Sequence, residues 1–431
     1  MRPLTAALIA GLLAVPDANA QPLRVDITEG ARAPLQISLA TNAGPGNAAD
    51  LNMQHQLLQI VQADLATTAL YELKPHGTNR KASVTTELLT ARAQGSQGLV
   101  WLTVRTSTPE TIQIECAYYD VYSGTLETGQ LFALPASGYR RAAHKCADLV
   151  YSHTSGHPAY FDSSLAIVTN RGTITEPARA ITIVDSDGFN PRDISPVPAR
   201  MVDTPAISRD GRLVAYILIE AAETFLVIHD RTTGTNRRVR SEGAAMSMPA
   251  FSPDGKALLL TLSQDGEADI HKLDLETGTF TRLTNSYGTD TAASYSPAGD
   301  LIVFQSDRSG MPQVYVMKPD GSAQHRISFG NGSFAAPAWN PAGDRIAFTL
   351  VNQERMQIGT MRPDGTAMVL LSASGQDESP TWAANSRVLL FTRTLPGKLP
   401  QLWNSDLSGQ RQTPLPLKSP AAQAAWSGVL P

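Results

Sequence analysis

The sequence has only two cysteines, no long apolar run after its first twenty residues, and no cluster of basic charge. Its 35 Lys and Arg are dispersed among 39 Asp and Glu, so there is no basic stripe that would bind nucleic acid or an anionic membrane surface. Beyond residue 20 no apolar run approaches the length that spans a bilayer. We therefore expect a protein that binds no nucleic acid and is not embedded in a membrane.

Short catalytic and cofactor-binding motifs are also missing. There is no Gly-x-Ser-x-Gly, P-loop, His-Glu-x-x-His or Cys-x-x-Cys. Four potential metal ligands are close in sequence, namely His144, Cys146, His153 and His157. Cys146 is predicted to face a core, however, and the last two histidines to lie in or near a linker. We expect no catalytic residue, no cofactor and no metal site.

The first twenty residues have the pattern of a signal peptide. Arg2 supplies a positive start, residues 4–15 are apolar, and Ala18-Asn19-Ala20 is typical of a cleavage site. We predict that the chain is exported and cleaved after Ala20. The residue directly after the cleavage site is Gln21 and not cysteine, so a lipoprotein anchor is not expected.

Both cysteines, Cys116 and Cys146, are predicted to point into one small core. Ile112, Ile114 and Cys116 alternate with polar residues as in a strand, and Cys146 shares a helical stripe with Leu149. In an oxidising compartment the two either form a disulfide or remain separate buried thiols, and both interpretations stay open.

A repeat dominates the second half of the chain. A large apolar residue before a turn such as Ser-Pro-Asp-Gly falls at positions 207, 251, 295, 339, 382 and 426, with spacings of 44, 44, 44, 43 and 44 residues. Each period reads as four short strands, separated by turns in which Pro and Gly favour tight reversals. Four strands in a period of this length are the signature of a β-propeller blade.

The incomplete first and last units predict how the ring closes. The unit that begins near Leu165 lacks an inner strand, whereas the last unit has only the strand around Trp426. We expect the C-terminal strand to complete the first blade, which gives a six-bladed propeller of four-stranded blades over residues 163–431.

The residues before the propeller predict an α/β domain at 33–155. Helices are expected at 48–71, 84–93 and 139–151, and strands at 34–40, 99–104, 111–122 and 125–134. Residues 152–158 are polar, and a linker is assigned to 156–162. Residues 21–32 are predicted to form a mobile N-terminal arm.

The blade motif, its downstream Asp-Leu-x-Thr-Gly segment, the helix Ile60-Val61-Gln62-Ala63-Asp64-Leu65 and the ending Ala425-Trp426-Ser427 together carry a resemblance. With the domain order, they resemble the TolB family, periplasmic components of the Tol–Pal system of Gram-negative bacteria. The resemblance implies a non-enzymatic, periplasmic interaction protein, and we expect a monomer. It would bind the lipoprotein Pal at the propeller channel mouth and TolA through its N-terminal segment. It would thereby support outer-membrane integrity and invagination during cell division, and bacteriocins exploit such systems.

Loops that lead into the innermost strands should ring the channel mouth, where their side chains converge. Their mixture of apolar and acidic residues is typical of an interface with anchors and a polar surround. The candidate Pal-binding residues are Arg200, Met201, Asp203, Met246, Met248, Asp290, Thr291, Ser333, Phe334, Asp377 and Glu378.

The matching TolA segment is the start of the arm, where apolar and polar residues alternate in a way that favours strand addition. It consists of Gln21, Pro22, Leu23, Arg24, Val25, Asp26, Ile27 and Thr28.

Two alternative functions stay open, because propellers also build active sites from loops without a local motif. One is an enzyme that acts on glycans or peptides, and the other is a propeller that binds a small molecule or a metal.

Overall fold

The computed structural model describes residues 33–42, 48–74, 83–108, 110–172, 178–196, 201–221, 223–353, 355–373 and 375–431. The predicted order, an α/β domain followed by a β-propeller, is confirmed. Among the described residues, no helix is both long and apolar enough to cross a membrane.

A five-stranded sheet with helices on both faces forms the N-terminal domain. Its elements are β1 (Leu35–Asn42), α1 (Ala48–Thr67), β2 (Tyr71–Lys74), α2 (Val84–Ala93), β3 (Gly98–Ser107), β4 (Thr111–Asp120), β5 (Leu126–Pro135) and α3 (Tyr139–Ser155). The strand order is β2-β1-β3-β4-β5, with β1 parallel to both of its neighbours and the remaining pairs antiparallel. Helices α1 and α3 cover one face, where Leu65 and Ala143 join Val100 in the core. Helix α2 covers the other face, where Ala91 packs with Trp101.

Two predicted helix boundaries in this domain are wrong. The first helix ends at Thr67 rather than residue 71, because Tyr71 enters the core as the first residue of β2. The last helix continues to Ser155, where Gly156 ends it in a left-handed conformation (φ 71°) that glycine adopts without a Cβ penalty. The polar stretch assigned to a linker at 152–158 therefore begins inside α3.

The second part of the segment assigned to the linker at 156–162 is buried, because residues 160–162 pack into the N-terminal domain. Tyr160 and Phe161 belong to the same core as α1 and α3. The backbone N–H groups of Tyr160, Phe161 and Asp162 donate to the buried Asp148 carboxylate at 2.8, 2.8 and 2.9 Å. The cause is long-range, because the apolar side chains are buried against residues distant in sequence.

Between the two cysteine alternatives, the structure has the disulfide. Cys116 on β4 and Cys146 on α3 are bonded, with their Cα atoms 5.7 Å apart, and both are fully buried. The bond joins the helix that faces the propeller to β4 of the sheet.

The propeller is built from short antiparallel strands that follow one another along the chain. The strands are β6 (Ser164–Asn170), β7 (Arg179–Asp185), β8 (Arg192–Asp193), β9 (Met201–Ile207), β10 (Leu213–Glu220), β11 (Glu223–Asp230), β12 (Thr235–Val239), β13 (Ala245–Phe251), β14 (Ala257–Gln264), β15 (Glu267–Asp274), β16 (Phe280–Arg282), β17 (Asp290–Tyr295), β18 (Ile302–Ser306), β19 (Gln313–Met317), β20 (His325–Arg326), β21 (Ser333–Trp339), β22 (Ile346–Asn352), β23 (Arg355–Met361), β24 (Val369–Leu370), β25 (Gln376–Trp382), β26 (Val388–Thr394), β27 (Gln401–Asp406), β28 (Gln412–Pro414) and β29 (Ala421–Trp426).

These strands form four-stranded sheets that stack through their innermost strands. Strands β9–β12, β13–β16 and β17–β20 are separate sheets, and β21–β24 is joined to β25–β28 by one parallel pair, Met356 with Gln376. Strand β29 pairs with β6, which continues to β7 and β8. Strand β9 lies against β13, β13 against β17, β17 against β21, and β21 against β25. Successive antiparallel sheets stacked in this way are a β-propeller.

Each innermost strand contains a bulge at the same position of the repeat. The bulged residues are Thr204, Met248, Ala292, Ala336, Ser379 and Gln423, all with φ between 44° and 54°. At each of them the register with the next strand shifts. The extra residue bends the strand and reverses which side chains face the sheet interior on either side of it.

The two domains meet along α3. Arg140 donates to Asp185 at the end of β7 and to Asp187 of the turn that follows, at 2.7 and 2.6 Å. Arg141 donates to Asp162 and to the Pro431 carbonyl. Farther along α3, the Tyr151 hydroxyl accepts a hydrogen bond from Asn385 at 3.2 Å. Side chains from both domains therefore hold α3 in place.

Candidate functional site

The predicted channel-mouth residues that the structure describes lie on the first residues of the innermost strands, not on loops. Strands β9, β13, β17, β21 and β25 begin at residues 201, 245, 290, 333 and 376, so the expectation of loops at these positions is wrong. In a strand, alternate side chains point to opposite faces. The candidate residues accordingly divide into a buried and an accessible set.

Four of the candidates are buried and do not offer their side chains to a partner. They are Met246, Asp290, Phe334 and Asp377, each no more than 1% exposed. Val202 and Ala421 occupy the equivalent position of their strands and are buried as well. This corrects the expectation that these four residues form part of the interface. The reason is the bulge, because the extra residue determines which alternate side chains of the strand point into the sheet interior.

The two buried aspartates are held by arginines of the adjacent strand or loop. Arg393 makes a two-pronged contact with Asp377 at 2.7 and 2.8 Å, and its guanidinium lies 4.7 Å from the centre of the Trp403 ring. Arg308 donates to Asp290 at 2.6 Å. These pairs are structural parts of the blades, and sequence reasoning missed both arginines.

The accessible set forms the surface around the starts of the innermost strands. Met201 and Met248 are 46% and 40% exposed, and Asp203, Thr291, Ser333 and Glu378 are partly exposed. Burial raises the pKa of Glu378, and the carboxylate of Asp203 raises it further. The two acidic groups, from different sheets, therefore face the same region of the mouth. Arg200 and the arm residues 21–28 lie outside the described residues.

Further apolar side chains lie at the same end of the strands, and sequence reasoning did not select them. Tyr287 and Phe329 precede innermost strands, while Met311 and Leu395 follow the second strand of their sheets. An innermost strand starts where its antiparallel neighbour ends, so both kinds of loop project from one end of the propeller. Tyr287 is fully exposed and Phe329 is 66% exposed. We call Met201, Met248, Tyr287, Met311, Phe329 and Leu395 the apolar rim.

One group of side chains has the composition of a metal site. Asp64, His144 and Asp187 place one ligand atom each within 4.8 Å of one another. All three residues already have charged partners, because His144 Nδ1 lies 2.7 Å from Asp64, Arg140 donates to Asp187 at 2.6 Å, and His144 Nε2 lies 3.9 Å from Asp187. The group is therefore organised as an ion-pair network between the domains.

The repeated Asp residues of the blade turns are also engaged locally. Asp254 accepts hydrogen bonds from the Ser252 hydroxyl at 2.6 Å and from the Lys256 backbone at 3.1 Å. These contacts hold the pKa of Asp254 below its usual value, with the Ser252 hydroxyl making the largest contribution. Equivalent bonds occur at Asp210. The geometry is that of a turn-forming aspartate.

The fold and the channel mouth together define a class of protein, in which an α/β domain precedes a β-propeller that carries an apolar rim at one end. A family model described as "TolB beta propeller domain" matches residues 151–430, and one described as "TolB amino-terminal domain" matches residues 23–126. The chain belongs to the TolB family.

Individual relatives agree with this assignment. The chain is 36% identical over 235 residues to "Tol-Pal system protein TolB" of Roseobacter denitrificans, a match that covers 53% of this chain and 52% of the relative. It is 30% identical over 240 residues to the protein of the same description from Nitrosococcus oceani, covering 54% of each. The matched part of the chain thus spans about half the length of these curated relatives.

A solved structure extends the likeness of fold to nearly the whole chain. The crystal structure of TolB from Acinetobacter baumannii superposes with a TM-score of 0.78 at 24% identity, covering 92% of this chain and 98% of that one. At this identity the likeness concerns the fold alone.

Proposed function

We propose that this protein is a periplasmic, non-enzymatic adaptor of the Tol–Pal system. It binds the lipoprotein Pal at the propeller mouth and TolA through residues 21–28, and it supports outer-membrane integrity and invagination during division. The descriptions of its relatives support membership of the system. The buried disulfide supports an oxidising compartment, in keeping with cleavage of a signal peptide after Ala20.

The observation that carries the Pal proposal is the apolar rim. Its six large apolar side chains are between 37% and 110% exposed, and all lie at one end of the propeller strands. Singly exposed apolar residues need no explanation, whereas several on one face indicate a binding surface. Asp203, Glu378 and Thr291 lie among them and supply the polar contacts that such a surface needs.

We also propose that the propeller has six blades closed into a ring by β29. The support is the contact of β29 with both β25 and β9, together with its pairing to β6. Hydrogen bonds cross the same seam: the Thr204 backbone donates to Gln423 at 3.0 Å, and the Gln423 backbone donates to Thr392 at 2.9 Å.

A binding titration with purified cognate Pal tests the mouth. We expect the double variant Met248→Ala/Tyr287→Ala to lose at least tenfold in affinity, since exposed apolar anchors dominate such interfaces. Leu370→Ala is the matched control, because Leu370 is exposed on an outermost strand. Wild-type protein that fails to bind folded Pal at micromolar concentration would contradict the Pal proposal.

A second experiment separates the two partners. Deletion of residues 21–28 from the mature protein should abolish binding to the purified TolA C-terminal domain and leave the affinity for Pal unchanged. TolA binding that survives the deletion would place the contact elsewhere on the protein.

A further inference from the structure

A polar cavity of about 180 Å³ lies at the junction of the two domains. Helix α3 forms one wall, beginning with Ser137 and Gly138 just before its first turn. The first propeller sheet forms the other wall, with Ser164 on β6 and Arg192 on β8. The cavity is distinct from the propeller mouth, and neither proposed partner site includes it.

The charge that lines this cavity is mainly positive. Its lining includes four arginines and one histidine, Arg140, Arg141, Arg192, Arg231 and His144, against two aspartates, Asp162 and Asp185. Arg140 and Arg141 are neutralised by the aspartates they contact. The other two arginines are not: among the described residues, no carboxylate lies within 4.0 Å of Arg192 or Arg231.

Arg231 is only partly satisfied. Its guanidinium donates to the Gly211 carbonyl at 2.6 Å and to the Ser164 hydroxyl at 3.3 Å, both uncharged groups. Burial lowers the pKa of Arg231, and the positive charge of Arg192 lowers it further. A neighbouring anion would relieve both effects.

His144 supplies a second, independent observation. The side chain is 2% exposed, and Nδ1 is bound to Asp64 at 2.7 Å, while the buried Nε2 has no hydrogen-bond partner. Burial alone would lower the pKa of His144, but the carboxylates of Asp64, Asp187 and Asp185 outweigh it and raise the pKa to about 9. The Asp187 carboxylate lies 3.9 Å from Nε2, beyond hydrogen-bond distance, so a proton on Nε2 has no hydrogen-bond acceptor, an arrangement that costs free energy.

The N-terminus of helix α3 also favours an anion in the cavity. It has 17 residues, its first residue follows the cavity-lining Gly138, and no side chain caps its N-terminus. The positive end of a helix dipole favours an anion.

We propose that the junction cavity binds a small oxyanion of the phosphate class, contacted by His144 Nε2 and by the guanidinium groups of Arg192 and Arg231. The anion accepts a hydrogen bond from a helix of the N-terminal domain and from two strand ends of the propeller. It therefore ties the domains together and stabilises the folded chain by mass action.

The test is calorimetric titration of the full mature protein with inorganic phosphate and with glycerol phosphate, at constant ionic strength in a buffer without oxyanions. Arg192→Gln and Arg231→Gln should each weaken binding about tenfold, since each removes one charged hydrogen bond. Arg240→Gln is the control, because Arg240 is exposed and pairs with Glu223 away from the cavity. Arg192 is exposed and has no partner to lose, so its variant should fold normally.

Nuclear magnetic resonance of the imidazole nitrogens provides a local readout. Phosphate should shift a Nε2 resonance that is absent from His144→Gln. Tighter binding of inorganic phosphate supports a free ion, and tighter binding of glycerol phosphate supports the phosphate of a larger ligand. The proposal is overturned if neither compound binds at millimolar concentration, or if Arg192→Gln and Arg231→Gln bind as tightly as Arg240→Gln. A parallel titration with zinc tests the alternative. The proposal also fails if zinc binds and neither phosphate compound does, because the group of Asp64, His144 and Asp187 would then be a cation site.

Discussion

At the residue scale, Asp377 stabilises the propeller and is not a binding residue. Its carboxylate and the guanidinium of Arg393 are both at least 96% buried and joined by two hydrogen bonds. Removing one member of such a pair leaves an uncompensated buried charge. A binding assay on a variant at this position would therefore report loss of structure rather than loss of a partner contact.

Asp377→Asn should lower the free energy of unfolding by about 3–5 kcal/mol, because Arg393 keeps its charge without a counter-ion. Urea denaturation followed by tryptophan fluorescence measures it. Glu223→Gln is the control, since it breaks the exposed pair with Arg240 and should change stability little. Equal stability of the two variants would contradict the structural role of Asp377.

His144 is the residue through which pH should affect the domain junction. Its pKa is raised in the folded protein to about 9 from an ordinary value of 6.5. A raised pKa means that the folded state holds the proton more tightly, so the stabilisation is complete below pH 6.5 and is lost as pH rises through 9. Burial also raises the pKa of Asp64, which acts in the same direction.

Between pH 6.5 and 9, the wild-type protein should therefore lose stability by roughly 3 kcal/mol, and His144→Gln should lose clearly less over that range. Urea midpoints at a series of pH values measure the difference. The lower limit avoids Asp148, whose pKa burial raises to about 6. Parallel pH profiles for the two proteins would show that His144 does not carry the effect.

At the scale of elements, the bulges of the innermost strands hold residues other than glycine in a left-handed conformation. Ala292 has φ 53°, whereas the next residue, Ala293, is a buried strand residue without a positive φ. A left-handed alanine costs about 1 kcal/mol or more, which glycine does not incur. Variants of these two adjacent alanines can therefore distinguish backbone strain from side-chain packing.

Ala292→Gly should leave the free energy of unfolding unchanged or slightly higher, because relief of strain offsets the flexibility that glycine adds to the unfolded chain. Ala293→Gly should lower it by about 1–2 kcal/mol, through loss of a buried methyl group and the same flexibility. Urea denaturation of both variants gives the comparison. Equal destabilisation would mean that the bulge conformation is not strained.

At the scale of the whole molecule, the last residues join two long-range contacts. Strand β29 pairs with β6, and beyond it the Leu430 backbone donates to the Asp162 carbonyl at 2.8 Å. Arg141 of α3 donates to the Pro431 carbonyl at 2.9 Å. The same short segment therefore completes a propeller sheet and holds the N-terminal domain against it.

Deleting residues 424–431 should lower the melting temperature by about 10 °C or more, because it opens the proposed ring and removes the contacts with α3. Deleting only residues 429–431 keeps β29 and should cause a much smaller decrease. Differential scanning calorimetry compares the three proteins. A truncation at 424 that melts like the full-length protein would show that β29 does not close the ring.

The sequence by itself determined the domain order, the strand pattern of the propeller and the position of the second helix. The spacing of 43 or 44 residues recurs along the chain, so a strand that is misassigned in one unit is corrected by comparison with the other units. The bulges repeat at the same spacing. Periodicity and turn residues act over a few positions, which makes them readable without tertiary structure.

Only the tertiary structure decided which mouth residues face outward and how the domains meet. A bulge adds one residue to a strand and reverses the alternation before it, so Met246 is buried while Met248 is exposed. The charge of the junction cavity likewise depends on Arg231 and His144, which line it from two different domains. Such contacts join residues far apart in the chain, and their burial is decided by packing rather than by neighbouring sequence.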